Sequence, residues 1–232
     1  DYYYGNEEAI ISDAITKMEE SGLDLGDLDF NSDDIVDNLT VVVPCESGND
    51  NTKFRDFRST YSGTDTINGV QIGSYNILTE SGAYFGLQEG VIAHEFLHSL
   101  GYPDLYPVSG DETPVGLWGI MGAVSYRLQY PLAYLRSKIT NWFEIPEIKE
   151  SVKDYSLVAA SATTDSTKNN QAVILKTGYS DSEFFVLEYR KQGKENSEEY
   201  ESKIPGSGLI IYRVNTECDS NKSGSPWEIY VF

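Results

Sequence analysis

Two histidines, His94 and His98, stand four residues apart, and Glu95 follows the first of them. In a helix such positions lie one turn apart on one face, so the two imidazoles can grip a single Zn²⁺. Glu95 then sits beside the metal, where a carboxylate can take a proton from a metal-activated water. The chain has 2 histidines in all, so a site with three imidazoles cannot be built and the third protein ligand must be a carboxylate or a thiolate. Asp104 is the nearest candidate. Gly101 can take the left-handed conformation that ends a helix and Pro103 cannot continue one, so a sharp turn after Leu100 can carry the Asp104 carboxylate back to the metal. A glutamate on a distant second helix is the rival third ligand, although no well-formed helix downstream carries an obvious one. The bland alternative, a pair of histidines merely packed or solvated, requires a coincidence of spacing rarer than about 1 in 100 chains of this length.

The elements that must position these residues are legible in outline. The metal-site helix is expected to start near Phe85 and end at Gly101, with Val91, Ile92, Leu97 and Leu100 burying it. Before it, Leu39 to Pro44 is a β-branched apolar run that reads as a buried central strand. Gly69 to Thr79 reads as a second strand whose Gln, Ser and Asn residues suit an open edge, to which a peptide could add by backbone hydrogen bonds. The polar stretch from Ser47 to Thr66 reads as loop. Helical spacing marks two further helices, Asn6 to Ser21 and Pro131 to Trp142, the second burying Leu132, Leu135, Ile139 and Trp142. Tyr126 is a candidate oxyanion donor, with an ordinary half-buried tyrosine as the alternative. After Pro146 short strand-like runs follow: Tyr155 to Ala160, Ala172 to Lys176, Phe184 to Arg190 and Gly208 to Val214. The apolar ending W-E-I-Y-V-F lacks a stop signal, which reads as a chain cut from a longer protein.

Near the start, D-F-N-S-D-D-I-V-D places Asp29, Asn31, Asp33 and Asp37 at the first, third, fifth and ninth positions of a calcium loop, with the Ile35 carbonyl at the seventh. Asp34 stands where a glycine normally makes the turn, and Thr40 replaces the glutamate at the twelfth position. From spacing alone a calcium site and a solvated acidic loop are equally supported. The formal net charge of -20 repels nucleic acid and anionic membranes and suits a solvated exported protein or one that holds cations. No apolar segment is long enough for a membrane helix, and no charged-then-apolar leader opens the chain. Cys45 and Cys218 are too few for a disulfide framework, and either pairing or two free thiols satisfies the sequence.

The run H-E-F-L-H-S-L-G-Y-P-D-L-Y resembles the zinc motif of the immune inhibitor A family of secreted bacterial metallopeptidases, H-E-F-G-H-x-L-G-x-P-D-L-Y. The resemblance implies His94, His98 and Asp104 as zinc ligands and Glu95 as the catalytic base. Trp118 to Met121 resembles the family's W-D-L-M segment, which would make Met121 the methionine in the turn beneath the metal, touching no metal itself. Phe184 to Arg190 and Pro205 to Tyr212 resemble further family segments. The calcium-loop spacing resembles a D-x-D-x-D-G-x-x-D run of the family and shifts that loop toward Ca²⁺. The chain departs from the family at Leu97, where glycine is usual, and at Gly119, where aspartate is usual.

The expectation is therefore an α+β chain with a zincin-like catalytic region over residues 1–150, its H-E-x-x-H helix under a mixed sheet, and a β-rich region over 151–232. It would be a secreted zinc endopeptidase, stabilised by Ca²⁺, acting on extracellular proteins or peptides. The rival is a secreted surface-binding module that keeps the fold and metal without useful catalysis.

Overall fold

The computed structural model describes residues 7–23, 25–47, 61–62, 66–67, 70–82, 88–123, 127–149, 151, 154–194 and 200–232. Runs of strands and runs of helices follow one another rather than alternating, an α+β arrangement. The chain forms two compact units, one ending at Ser99 and one beginning at Leu100; this boundary lies elsewhere than the change of sequence character near residue 150.

In the first unit, helix α1 (Glu7–Glu20) turns Ile11 and Ile15, one turn apart, into a core with Val36, Leu39, Ile72, Tyr75 and Ile77. Gly22 ends it in the left-handed region (φ 76°), and the amide of Leu23 reaches back to the carbonyl of Met18 at 3.3 Å. The expected first residue, Asn6, lies outside the described residues. Strand β1 (Ile35–Val36) and β2 (Leu39–Ser47) run on from one another. Short β3 (Tyr61–Ser62) and β4 (Thr66–Ile67) precede β5 (Val70–Ile72) and β6 (Ser74–Gly82). β1 pairs parallel with β5 and β2 parallel with β6, while β4 and β3 add antiparallel, so both three-stranded sheets are mixed.

The strand expected over Gly69 to Thr79 is interrupted at Gly73. A Cβ there would stand 2.4 Å from Cγ2 of Ile35, so the close approach of the first ribbon explains the glycine. Yet the register carries across the break, Ile35 facing Gln71 and Leu39 facing Tyr75 with the same offset. The edge reading fails only at the start of β6, where Ser74 and Tyr75 lie between β2 and β3; from Asn76 on, among the described residues, β2 alone pairs with the strand. Asn76, whose polarity suggested an edge, is buried. β2 in turn is terminal in the described sheet rather than central, with Val42 44% exposed.

The second unit carries an antiparallel sheet in the order β10-β9-β8-β7, formed by β7 (Ala172–Leu175), β8 (Glu183–Arg190), β9 (Gly208–Asn215) and β10 (Ile229–Val231). Alternation along β8 sends Phe184, Val186, Glu188 and Arg190 inward. Charges so placed must be paired. Arg190 donates Nε to Oε2 of Glu201 at 2.7 Å and a second guanidinium nitrogen to Oε1. Glu188 accepts from Arg136 at 3.2 Å, from the backbone amide of Ala133 at 2.8 Å and from the hydroxyl of Tyr212 at 3.2 Å. Burial raises the Tyr212 phenol well above its ordinary pKa. Glu188 thus holds the first amide of helix α3 (Ala133–Lys138). That helix is shorter than the expected Pro131 to Trp142: Asn141 turns left-handed (φ 50°), so Trp142 leaves the helical period and is 50% exposed. No strand forms at Tyr155 to Ala160, where Val158 donates its amide to Asn170, on a short turn, at 2.8 Å.

Removing one partner of a buried ion pair strands the other. Glu201→Ala is expected to lower the unfolding free energy by about 3–5 kcal/mol in urea, whereas Lys17→Ala, which breaks the exposed Lys17–Glu20 pair, leaves the midpoint unchanged. Equal midpoints for wild type and Glu201→Ala would show that the inward charges carry no such weight.

Candidate metal centre

Helix α2 spans Glu89–Ser99 and lies against β6. It starts later than the expected Phe85: Gln88 stands just outside the helix and accepts the amide of Ile92 at 3.0 Å. Val91 and Leu97 are buried with Gly90, His94 and Glu95, so the face that holds the helix in place also carries His94 and Glu95. The leucine that replaces the family's glycine at 97 is accommodated as core. The His94 and His98 rings meet edge to face, centroids 4.8 Å apart and planes at 87°, neighbours on one face as their one-turn spacing allows.

The chain then reverses. Gly101 has φ 89°, and a Cβ on it would meet only Ile139 at an ordinary 3.7 Å; the backbone angle, not space, calls for glycine. After Pro103 the Asp104 side chain is buried, and His94, His98 and Asp104 each offer a ligand atom, all within 4.8 Å of one another. Ligand atoms around a tetrahedral zinc lie roughly 3.4 Å apart given bonds of about 2.0–2.2 Å, so modest side-chain rotation closes the difference. Two imidazole nitrogens and a carboxylate oxygen, with a fourth position left over, are the donor set of a catalytic zinc. Glu95 is buried next to His94 on the same helix.

The reversal segment is fastened on its far side. Leu105 donates its amide to the carbonyl of Met121 at 2.8 Å. Met121 is fully buried and sits in a tight turn, where the amide of Gly122 reaches the carbonyl of Gly119 at 2.8 Å. Gly119 explains the missing family aspartate locally: even a Cβ there would stand 3.3 Å from Cγ of the fully buried Leu132. At Gly122 a Cβ would lie 2.6 Å from both the carbonyl oxygen of Gly116 and Cγ1 of Val115. Sequence reasoning missed Asn221 and Lys222. The amide of Asn221 donates to the Asp104 carbonyl at 3.2 Å, and Nζ of Lys222 stands 3.0 Å from Oδ2 of Asp104. They lie in a polar turn far along the chain, and no local signal marks them.

The acidic loop folds on itself. Asp29 accepts the amides of Asp33 and Asp34 at 3.1 and 2.8 Å, Asn31 accepts that of Asp33 at 3.1 Å, Asp33 that of Ile35 at 3.0 Å, and Asp37 that of Phe30 at 2.8 Å. Asp34, at the position where calcium loops carry glycine, has φ 65°. Cys218 is a free thiol that donates to the Pro226 carbonyl at 3.3 Å. Tyr126 lies outside the described residues. No described helix is long and apolar enough to cross a membrane.

Residues 26–143 match the family model of the immune inhibitor A peptidase M6 catalytic domain. The match takes in the acidic loop, the two histidines, Asp104 and Met121, and stops before Phe184 to Arg190 and Pro205 to Tyr212. No curated protein matches the chain, and no solved structure does.

Because Gly122 is hemmed in by backbone and by the β-branched Val115, Gly122→Ala is expected to cost about 1–3 kcal/mol of stability. A thermal melt should show this as a drop of several degrees, and an unchanged melting temperature would mean that the methionine turn yields freely.

Proposed function

The chain belongs to the immune inhibitor A family of M6 peptidases, and on that premise we propose that it is an exported zinc endopeptidase acting on extracellular proteins. The convergence of His94, His98 and Asp104 beside the buried Glu95 is the observation that supports this reading most directly. His94 and His98 would hold the metal from one helix face, and Asp104 would supply the third ligand. Zinc, when bound, supplies Lewis acidity that polarises the scissile carbonyl and acidifies a water. Glu95 takes the proton of the attacking water and delivers it to the leaving amine, so one carboxyl serves as base and then acid. Burial of His94 and Glu95 keeps bulk water from competing for these contacts.

Ca²⁺ at the acidic loop belongs to the same reading. Asp34 already holds the left-handed turn that calcium loops assign to glycine, and oxygens of Asp29, Asn31, Asp33 and Asp37 carry further lone pairs beyond the amides they accept. The net charge of -20 supports export to a solvated exterior. Finding the native protein in the cytoplasmic fraction would count against that part.

Purified protein should carry one zinc per chain and cleave an unstructured protein, with cleavage lost on chelation and restored by zinc. Zinc without cleavage would favour the binding-module alternative. Glu95→Gln should retain zinc while turnover falls by a factor of 10² or more, roughly the range for a general base; full activity in that variant would remove Glu95 from the role. For the acidic loop, Ca²⁺ at about 100 times its dissociation constant should add about 2.7 kcal/mol of stability. Asp33→Ala should abolish the gain, and an equal gain in both proteins would place the ion elsewhere.

A further inference from the structure

Among the described residues, the turn at Asn221 and Lys222 touches Asp104 from outside the region that matches the family. A ligating carboxylate binds best when its remaining oxygen is held, because that contact sets the rotation of the group before the metal arrives. Oδ2 of Asp104 has such a contact in Nζ of Lys222 at 3.0 Å. A lysine on a flexible stem would orient nothing if its backbone were loose. Here it is not loose. The neighbouring Asn221 is fully buried and donates Nδ2 to the carbonyls of Leu105 at 3.0 Å and Ile229 at 2.8 Å, while its Oδ1 accepts the amide of Ile229 at 3.1 Å. Its own amide holds the Asp104 carbonyl at 3.2 Å, and the Lys222 carbonyl accepts the amide of Val108 at 3.2 Å. The turn is therefore tied to Asp104 and the segment that follows it and, through Asn221, to β10.

We infer that Lys222 is a positioning residue of the metal centre: carried by the buried Asn221, it fixes the Asp104 carboxylate for the zinc. This rests on the zinc reading above. Charge alone would argue the other way, since an ammonium close to a metal site repels the cation. The lysine therefore helps zinc only by orienting its ligand, and the two effects predict opposite signs when it is removed.

The test is zinc affinity, measured by competition with a chromophoric chelator and needing no turnover. Lys222→Met should raise the zinc dissociation constant by about tenfold, the lower end of the range for contacts behind a metal ligand, and Lys222→Arg should restore it to within about threefold. Lys222→Met also takes this ion pair from the buried Asp104, so the metal-free variant is expected to melt lower than wild type, and the affinities are compared at a temperature where both proteins are folded. Unchanged or tighter binding by Lys222→Met would overturn the inference. His98→Ala separates the levels. If wild type binds one zinc and His98→Ala binds it far more weakly, a null result at Lys222 sinks only this inference; if wild type binds none, the zinc reading falls and takes this one with it.

Discussion

A helix can present two metal ligands on one face, but a third cannot come from that face at the right distance. The left-handed reversal at Gly101 resolves this by bringing Asp104 back within 4.8 Å of the histidines that precede it. Every other feature of the region depends on that reversal being held. If Asp104 swung away, the cluster would keep only the two imidazoles. Pro103 helps by preventing the helix from continuing.

Support for the reversal comes from packing and from backbone bonds more than from the ligands themselves. Leu105, next to Asp104, is buried and leans on the carbonyl of Met121. The methionine turn is in turn compressed by Val115 and Gly116 on one side and Leu132 on the other, which is why glycine stands at 119 and 122. Leu132 directly precedes α3, whose first amide is held by Glu188. The inward charges of β8 thereby contribute to the placement of the wall behind the methionine turn, an order that an all-apolar strand would not impose in the same way.

The residues of the candidate metal centre are legible because they are local. His94, Glu95, His98, Gly101 and Asp104 lie within one short stretch, where helix period and glycine conformation suffice for the argument. Strands β8 and β9 were legible for the same reason, since alternation needs no partner to be seen. Reading failed where the decisive neighbour is remote. Gly73 interrupts a strand because Ile35 crowds it. The polarity of Asn76 does not reveal its surroundings: the residue is buried and pairs with Thr40 of β2. Trp142 was placed on a helix face that ends one turn earlier. Lys222 could not be found at all, because a lysine in a turn of Asn, Ser and Gly looks like any solvated loop until the fold brings it to Asp104.

X-ray absorption at the zinc edge of the loaded protein tests the central claim most directly. The account predicts one zinc with a first shell of nitrogen and oxygen at about 2.0–2.2 Å, including the outer-shell scattering of two imidazoles, and one imidazole fewer in His98→Ala. A shell containing sulfur at about 2.3 Å, or a wild-type spectrum that His98→Ala leaves unchanged, would contradict it.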